Sequence, residues 1–421
     1  MDNKSRKNSN KWKSMLVMLI AVLLAGTIFG CTGQQQNTEE KIFDRDRDFS
    51  EIAEEARGTT VSFYGWGGDE QRNQWLDTVV ASALKDKYDI TLERVPMDID
   101  QILAKLSGEK QAGKRKGSID LIWINGENFY SAKENGLLFG PFTERLPNYE
   151  KFINTEDPEI QMDFGYPIEG YEAPYGKAQM VLINNSEVTP EAPANTAELL
   201  EYVKKYPGKV TYPALPDFTG SAFVRNIIYD IVGYEQFMNM DANKETVKSA
   251  IEPALRYLRS LNPYLWNQGK TFPATSSEVG NMFADGALYL DMSYSPYSVT
   301  VNIEQGIYPP TARAFLFDSG TIGNTNYIAV AENAPHKAAA MVAVNEILSS
   351  EIQASQFSQL KTLPVVDYNK LSKEQKAMFD SVDIGSGALS QDELLEKRVP
   401  EMPAKLVPII EEIWQEEVVG K

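Results

Sequence analysis

Residues 119–138 read IDLIWINGENFYSAKENGLL. An apolar, strand-like run from Ile119 to Ile124 stops abruptly on Asn125, Gly126, Glu127 and Asn128, and a helix-like segment follows that ends in Gly136-Leu137-Leu138. Two readings of the polar cluster compete. Asn128 could simply cap the helix, or the cluster could line a cleft and orient a ligand there.

The rest of the chain favours a cleft, because the same strand-then-helix pattern recurs on both sides. TTVSFYGWGG at 59–68 alternates like a strand and precedes a helical pattern over 69–88. DITLERVPM and DIDQILAKLSGEKQAG repeat the pair, and residues 117–138 form the third. A second set starts after residue 176 with AQMVLINNSEV, NTAELLEYVKKYP, GKVTYPAL, SAFVRNIIYDIV and GALYLDMSY. Alternation of this kind implies parallel βαβ units, with ligand crevices beyond the carboxyl ends of the strands. A chain of 421 residues is also too long for one ordinary core. The expected fold class is therefore α/β, two-lobed, with a ligand cleft between the lobes.

Composition narrows the function. The formal charge is −18, and the first thirty residues carry five Lys or Arg against one Asp, so the body is more acidic still. Such a body repels nucleic acid and anionic membrane surfaces. One cysteine, Cys31, and one histidine, His336, exclude an intramolecular disulfide and leave little for a Cys/His metal site or a Ser-His-Asp centre. No GxSxG accompanies the histidine. GEKQAGKR at 108–115 has the spacing of a phosphate loop but carries Arg115 where Ser or Thr would hold magnesium, and it follows a helical segment. It reads as a basic surface turn. Paired carboxylates, as in a secreted carbohydrate-active enzyme, stay open as the alternative function, as does a purely structural lipoprotein.

The N-terminus has a basic segment up to Lys13 and an apolar run over 15–28 that is shorter than the roughly 20 residues a bilayer span needs. The run ends at Ile28-Phe29-Gly30-Cys31, with Ile at −3 and Gly at −1, which resembles a bacterial lipobox. Cys31 is the expected lipidation site. Residues 31–58 are polar and read as a flexible tether that would span roughly 30 Å.

Several motifs resemble one family, the bacterial extracellular solute-binding proteins of ABC importers, with the type II periplasmic-binding-protein fold. They are the opening stretch, EAPYGKAQMVLINNSEV at 172–188, NMFADGALYLDMSYSP, and GNTNYIAVAENAPHKAAAMVAVNEILSSEIQ. FYGWGG, VPM, KQAGKRKGSIDLIWINGENF and LFGPF, in that order, resemble its thiamine-type lipoprotein branch. The resemblance implies a protein without enzymatic activity or cofactor, lipid-anchored on the extracytoplasmic face of the cell membrane. It implies a small solute, a permease and a separate ATPase subunit as partners. The expected divisions are a signal peptide over 1–30, the tether over 31–58, a first lobe over 59–174, a second over 175–324, and a return to the first lobe with C-terminal helices over 325–421.

Candidate ligand contacts come from strand ends. Trp66 and Gly67 follow the first strand and would stack on a ligand or form a tight turn; Asn125 and Glu127 follow the third. Tyr175 lies at the crossing between lobes. Thr219, Gly220 and Ser221 precede a helix, where free N–H groups would hold an anion unless Ser221 only caps. Asp291 and Tyr294 end a later strand, with Tyr294 facing either cleft or core. Glu127, Asp217 and Asp291 would meet the positive charge of a flat cationic ring sandwiched by Trp66 and tyrosines. Together these describe thiamine or a phosphorylated relative, with a polyamine, sugar or metal chelate as alternatives.

Overall fold

A computed structural model describes residues 43–44 and 46–421; the signal segment and Cys31 lie outside the described residues. Its strands, in chain order, are β1 (Thr60–Gly65), β2 (Thr91–Pro96), β3 (Leu121–Ile124), β4 (Leu138–Phe139), β5 (Met162–Asp163), β6 (Tyr166–Pro167), β7 (Glu172–Gln179), β8 (Val181–Asn185), β9 (Leu290–Ser293), β10 (Ala312–Phe315), β11 (Thr321–Ala331) and β12 (Arg398–Pro400).

The first three βα pairs form as the periodicity predicts. β1 runs parallel to β2 and to β3, in the order β2-β1-β3. Their helices lie at Ile99–Gln111, at Gly126–Glu134, and in one long element of three segments, Glu70–Trp75, a π-helical turn Leu76–Val80, and Ala81–Tyr88. β11 continues this sheet antiparallel to β3, with Tyr327 opposite Ile124. On its other side β11 pairs antiparallel with β7 over nearly its whole length, from Gly323 opposite Gln179 to Ala329 opposite Glu172.

β7 and β11 are where the chain changes sheets. After Gln179 a single residue, Met180, separates β7 from β8, and β8 belongs to a second, three-stranded sheet of order β10-β8-β9, antiparallel throughout. β10 in turn ends six residues before β11. The Met180 N–H donates to Ile322 O at 2.9 Å, so the two crossings are bonded at the point of transfer. A third connection comes from the C-terminal segment. β12 pairs parallel with β11, the Ala404 N–H donates to Phe164 O, and the helix Val407–Glu417 then packs on the helix Lys244–Leu261. Ile410, Ile413 and Trp414 share one core with Leu255, Leu258 and Phe223, so the last helix sits with the second set of elements.

Three expectations need correction. GKVTYPAL is not a strand: residues 210–214 have no regular secondary structure, because their backbone groups go singly to Trp266 N–H and Pro273 O and Pro213 has no N–H to give. The second sheet is antiparallel, so its elements are not parallel βαβ units. The tether is shorter than 31–58, because Phe49–Ala56 is a helix whose Ile52 and Ala56 are buried against the helix Lys337–Ile347. Its apolar positions at 49, 52, 53 and 56 have helical spacing, masked in the sequence by the acids between them. Among the described residues, no helix is long and apolar enough to cross a membrane.

Trp414 reports on the third connection. It is fully buried and donates Nε1–H to Tyr212 Oη at 3.1 Å. Trp414→Ala should cost about 3–5 kcal/mol in urea unfolding; a loss below about 1 kcal/mol would mean that the C-terminal helix is dispensable to the second core.

Candidate functional site

The ends of β1 and β3 and the crossing strands converge on one face. Asn125 continues the extended backbone of β3 (φ −164, ψ 168) and places its side chain on the same side as Trp123. Its Nδ2–H donates to Asn326 Oδ1 on β11 at 2.8 Å. Asn324, two residues back along β11, shares that face. Gly176 on β7 lies opposite Asn326, and a Cβ there would stand 3.6 Å from Gln356 Nε2, so Gln356 covers the same face. Tyr175 is buried between Trp75 and Trp123, with both ring centroids 6.3 Å away. Arg72 lays its guanidinium over Trp123 at 4.7 Å from the ring centroid. Trp75 in turn donates to Ser355 on the helix Ser350–Leu360, which carries Gln356.

This face holds a concentration of buried polar atoms without a hydrogen-bond partner. They are Arg72 Nε, Trp123 Nε1, both amide atoms of Asn324 and both of Gln356. Tyr297 Oη, from the loop after β9, is also unpaired, but its ring lies 5.9 Å from Phe357 in a separate apolar core. An unpaired buried polar group costs about 1–3 kcal/mol, and native proteins tolerate few of them. Clustered beside aromatic rings at the crossing strands, they are free to hydrogen-bond a polar group. Burial pushes the Tyr175 hydroxyl above its usual range and the Tyr297 hydroxyl up to about 12, so both stay neutral hydrogen-bonding groups at physiological pH.

The opposite face of the crossing is occupied by the protein itself. Arg225 and Glu401, 1% and 3% exposed, form a bidentate pair with Nε to Oε1 at 2.8 Å. Tyr294 donates to Glu401 Oε2 at 2.7 Å, Ser221 donates to Glu411 Oε1 at 2.6 Å, and Arg225 donates to Ser221. The Phe164 and Phe218 rings pack 6.3 Å apart beside them. Glu127 faces this cluster, and burial raises its carboxyl above the usual range, with Arg225 acting in the other direction.

A match to the family model described as "Bacterial extracellular solute-binding protein" spans residues 79–378. Protein YnjB of Escherichia coli (strain K12) is 37% identical over 308 residues, 73% of this chain and 79% of that one. The chain belongs to the bacterial extracellular solute-binding proteins. This solute-binding protein shares its fold with an ABC transporter protein from Clostridium perfringens ATCC 13124, with TM-score 0.60 at 19% identity over 85% of this chain and 98% of the other. It also resembles an ABC transporter substrate-binding protein from Bradyrhizobium japonicum USDA 110, with TM-score 0.61 at 16% identity over 85% and 99%. The expected two-lobed α/β fold is thus the fold of this protein.

The candidate residues named from sequence separate into groups. Asn125 and Tyr175 lie in the unsatisfied face. Trp66 is exposed at 53%, and its indole folds back over Gly68, while a Cβ at Gly67 would meet Pro96 at 2.5 Å. Tyr294, Ser221 and Glu127 belong to the Arg225–Glu401 face. The expected anion turn is filled from within: Asp217 Oδ1 accepts from the N–H groups of Thr219 and Gly220 at 3.0 and 2.9 Å, so the chain's own carboxylate takes the place an anion would have. Residues 219–221 lie inside the first turn of the helix Phe218–Val232. Gly220 is there because a Cβ would lie 2.2 Å from Pro213 O, a packing requirement. Asp291 is buried under the helix Ser276–Ala284 with Tyr308, which donates to its Oδ2 at 2.5 Å, and does not reach the crossing face. His336 begins the helix Lys337–Ile347 with its N–H and Nδ1 on Asp120, 2.8 and 3.2 Å away.

Arg72, Trp123, Asn324, Asn326, Gln356, Arg225 and Glu401 were not legible as site residues. The only signal was GNTN, two asparagines at strand spacing inside an otherwise apolar β11.

Burial lifts the Asp291 carboxyl from 3.8 to about 6. The folded state then binds the proton more tightly than the unfolded chain, so stability falls as pH rises from about 4 to about 6 and is flat above. Asp291→Asn should remove about 2–3 kcal/mol of that decline, read from denaturation midpoints across pH 4 to 7; an unchanged slope would place the proton elsewhere.

Proposed function

We propose that this protein is the lipid-anchored receptor of an ABC importer, and that its solute binds on the crossing-strand face between Trp123, Tyr175, Asn324 and Gln356. The observation that carries the site is the cluster of buried polar atoms left without partners there. Solute bridging the two sheets would favour closure of the lobes about β7 and β11, a hinge motion that needs no covalent chemistry, and the closed form would dock on the permease and its separate ATPase. The lobes we assign to residues 59–174 and 175–324, with the return over 325–421 contributing β12 to the first sheet and the last helix to the second lobe.

A thiamine-like solute keeps one support and loses another. A flat ring suits Trp123 and Tyr175, with Trp66 at the rim. The acids expected to meet a cationic ring are engaged elsewhere: Asp217 caps a helix, Asp291 is in the core, and Glu127 faces Arg225 and Glu401. A thiamine species would therefore be held by its hydrogen-bonding atoms and tail more than by its charge. The chain's membership of a solute-binding family gives the paired-carboxylate enzyme reading no support.

A thermal-shift screen of the purified protein against vitamins, amines, sugars, phosphates and metal ions tests the site. A solute at 100 times its Kd stabilises by about 2.7 kcal/mol, and Asn324→Ala and Trp123→Ala should each abolish most of that shift. Full retention in both variants would place the solute elsewhere, and cleavage of a glycan without any shift would favour the enzyme. The anchor has its own test: labelled palmitate should enter the wild type and not Cys31→Ser, and equal labelling would remove the lipoprotein assignment.

A further inference from the structure

The unpaired atoms of the crossing-strand face are not an even mixture of donors and acceptors. Amide and hydroxyl groups such as Asn324 and Gln356 can serve either role, so a water or one another can satisfy them after a rotation. A guanidinium and an indole N–H can only donate. Arg72 Nε and Trp123 Nε1 are both of that kind, both buried, and both without an acceptor.

The two donors are neighbours, since the guanidinium carbon stands 4.7 Å from the Trp123 ring centroid. The ion pair Arg72 makes with Asp69 is loose, 3.6 Å from Nη2 to Oδ2, beyond hydrogen-bond distance. The other oxygen, Asp69 Oδ1, is committed to the Arg72 backbone N–H at 3.0 Å as the helix cap. Arg72 thus holds a guanidinium fork against an aromatic wall, with its charge only partly answered.

We infer that the solute carries an acidic oxygen group, a carboxylate or a phosphate, and that Arg72 Nε and Trp123 Nε1 hold that group against the crossing strands. This rests on the pocket proposed above and adds the chemical class of what fills it. A planar oxo-acid suits the guanidinium fork, and hydrogen bonds to an ionised acceptor are about twice as strong as neutral ones. Asn324, Gln356 and Tyr175 are then left for the uncharged remainder of the solute. A purely cationic solute has no such complement, because two donor-only groups would stay unpaired beside it.

Two simple anions stand in for the solute in the test. Intrinsic tryptophan fluorescence is titrated with inorganic phosphate and, separately, with acetate, at ionic strength held constant with sodium chloride. The wild type should show a saturable change with at least one of them, weakened tenfold or more in Arg72→Gln. Arg72→Lys, which keeps the charge and loses the fork, should fall between the two. Saturation by phosphate alone points to a phosphorylated solute, and by acetate alone to a carboxylate. If neither anion saturates, or if Arg72→Gln or Arg72→Lys titrates like the wild type, the inference is overturned. A solute from the thermal screen separates this failure from failure of the pocket. Equal binding to wild type and Arg72→Gln with loss in Asn324→Ala removes only the acidic group, whereas binding that ignores both variants removes the pocket.

Discussion

The antiparallel ladder between β7 and β11 is the constraint on which the other features depend. Both strands start in one sheet and hand the chain to, or receive it from, the other, and their register from Gly323–Gln179 to Ala329–Glu172 fixes which side chains lie on which face. A slip of one residue would turn every side chain to the opposite face, burying Lys177 and Thr325 where Asn326 and Gly176 now stand. The bulge between Asn326 and Tyr327 locally bends the ladder at the level where Asn125 reaches across from β3. That arrangement brings the polar end of β3, the helix carrying Arg72, and the helix carrying Gln356 to one surface.

The two faces of this ladder carry different buried polar groups. On one, Arg225 and Glu401 are fully buried but saturate each other, with Tyr294, Ser221 and the backbone of Met402 completing the set. Removing either charge alone would cost about 3–5 kcal/mol, so this face ties the C-terminal segment to the helix Phe218–Val232. On the other, amides, an indole and a guanidinium are buried without partners.

Much of the fold was legible because periodicity is a local property. The βα pairs of the first lobe follow from alternation of 2.0 and 3.6, and Asn125 drew attention because it ends a buried strand on a polar residue. The second sheet misled for a physical reason: GKVTYPAL has strand-like composition, but Pro213 and its neighbours leave no ladder for it to join. The anion turn misled because a helix start alone does not say who fills it, and Asp217 stood one residue too near. Arg72 and Gln356 carry no signal at all in sequence. Each looks like a surface residue of an amphipathic helix, and only the packing of Trp75 on Tyr175 and of the helix Ser350–Leu360 on β7 turns them inward. Glu401 and Arg225 pair across 176 positions, which no local pattern reveals.

The central claim is that solute fills the crossing-strand face and completes its unpaired atoms. A crystal structure of the protein purified with its solute bound tests this most directly. The account predicts ligand density within hydrogen-bond distance of Trp123 Nε1, Asn324 and Gln356, in contact with residues of both lobes. Ligand density that touches none of these three, with ordered water satisfying them instead, would contradict it.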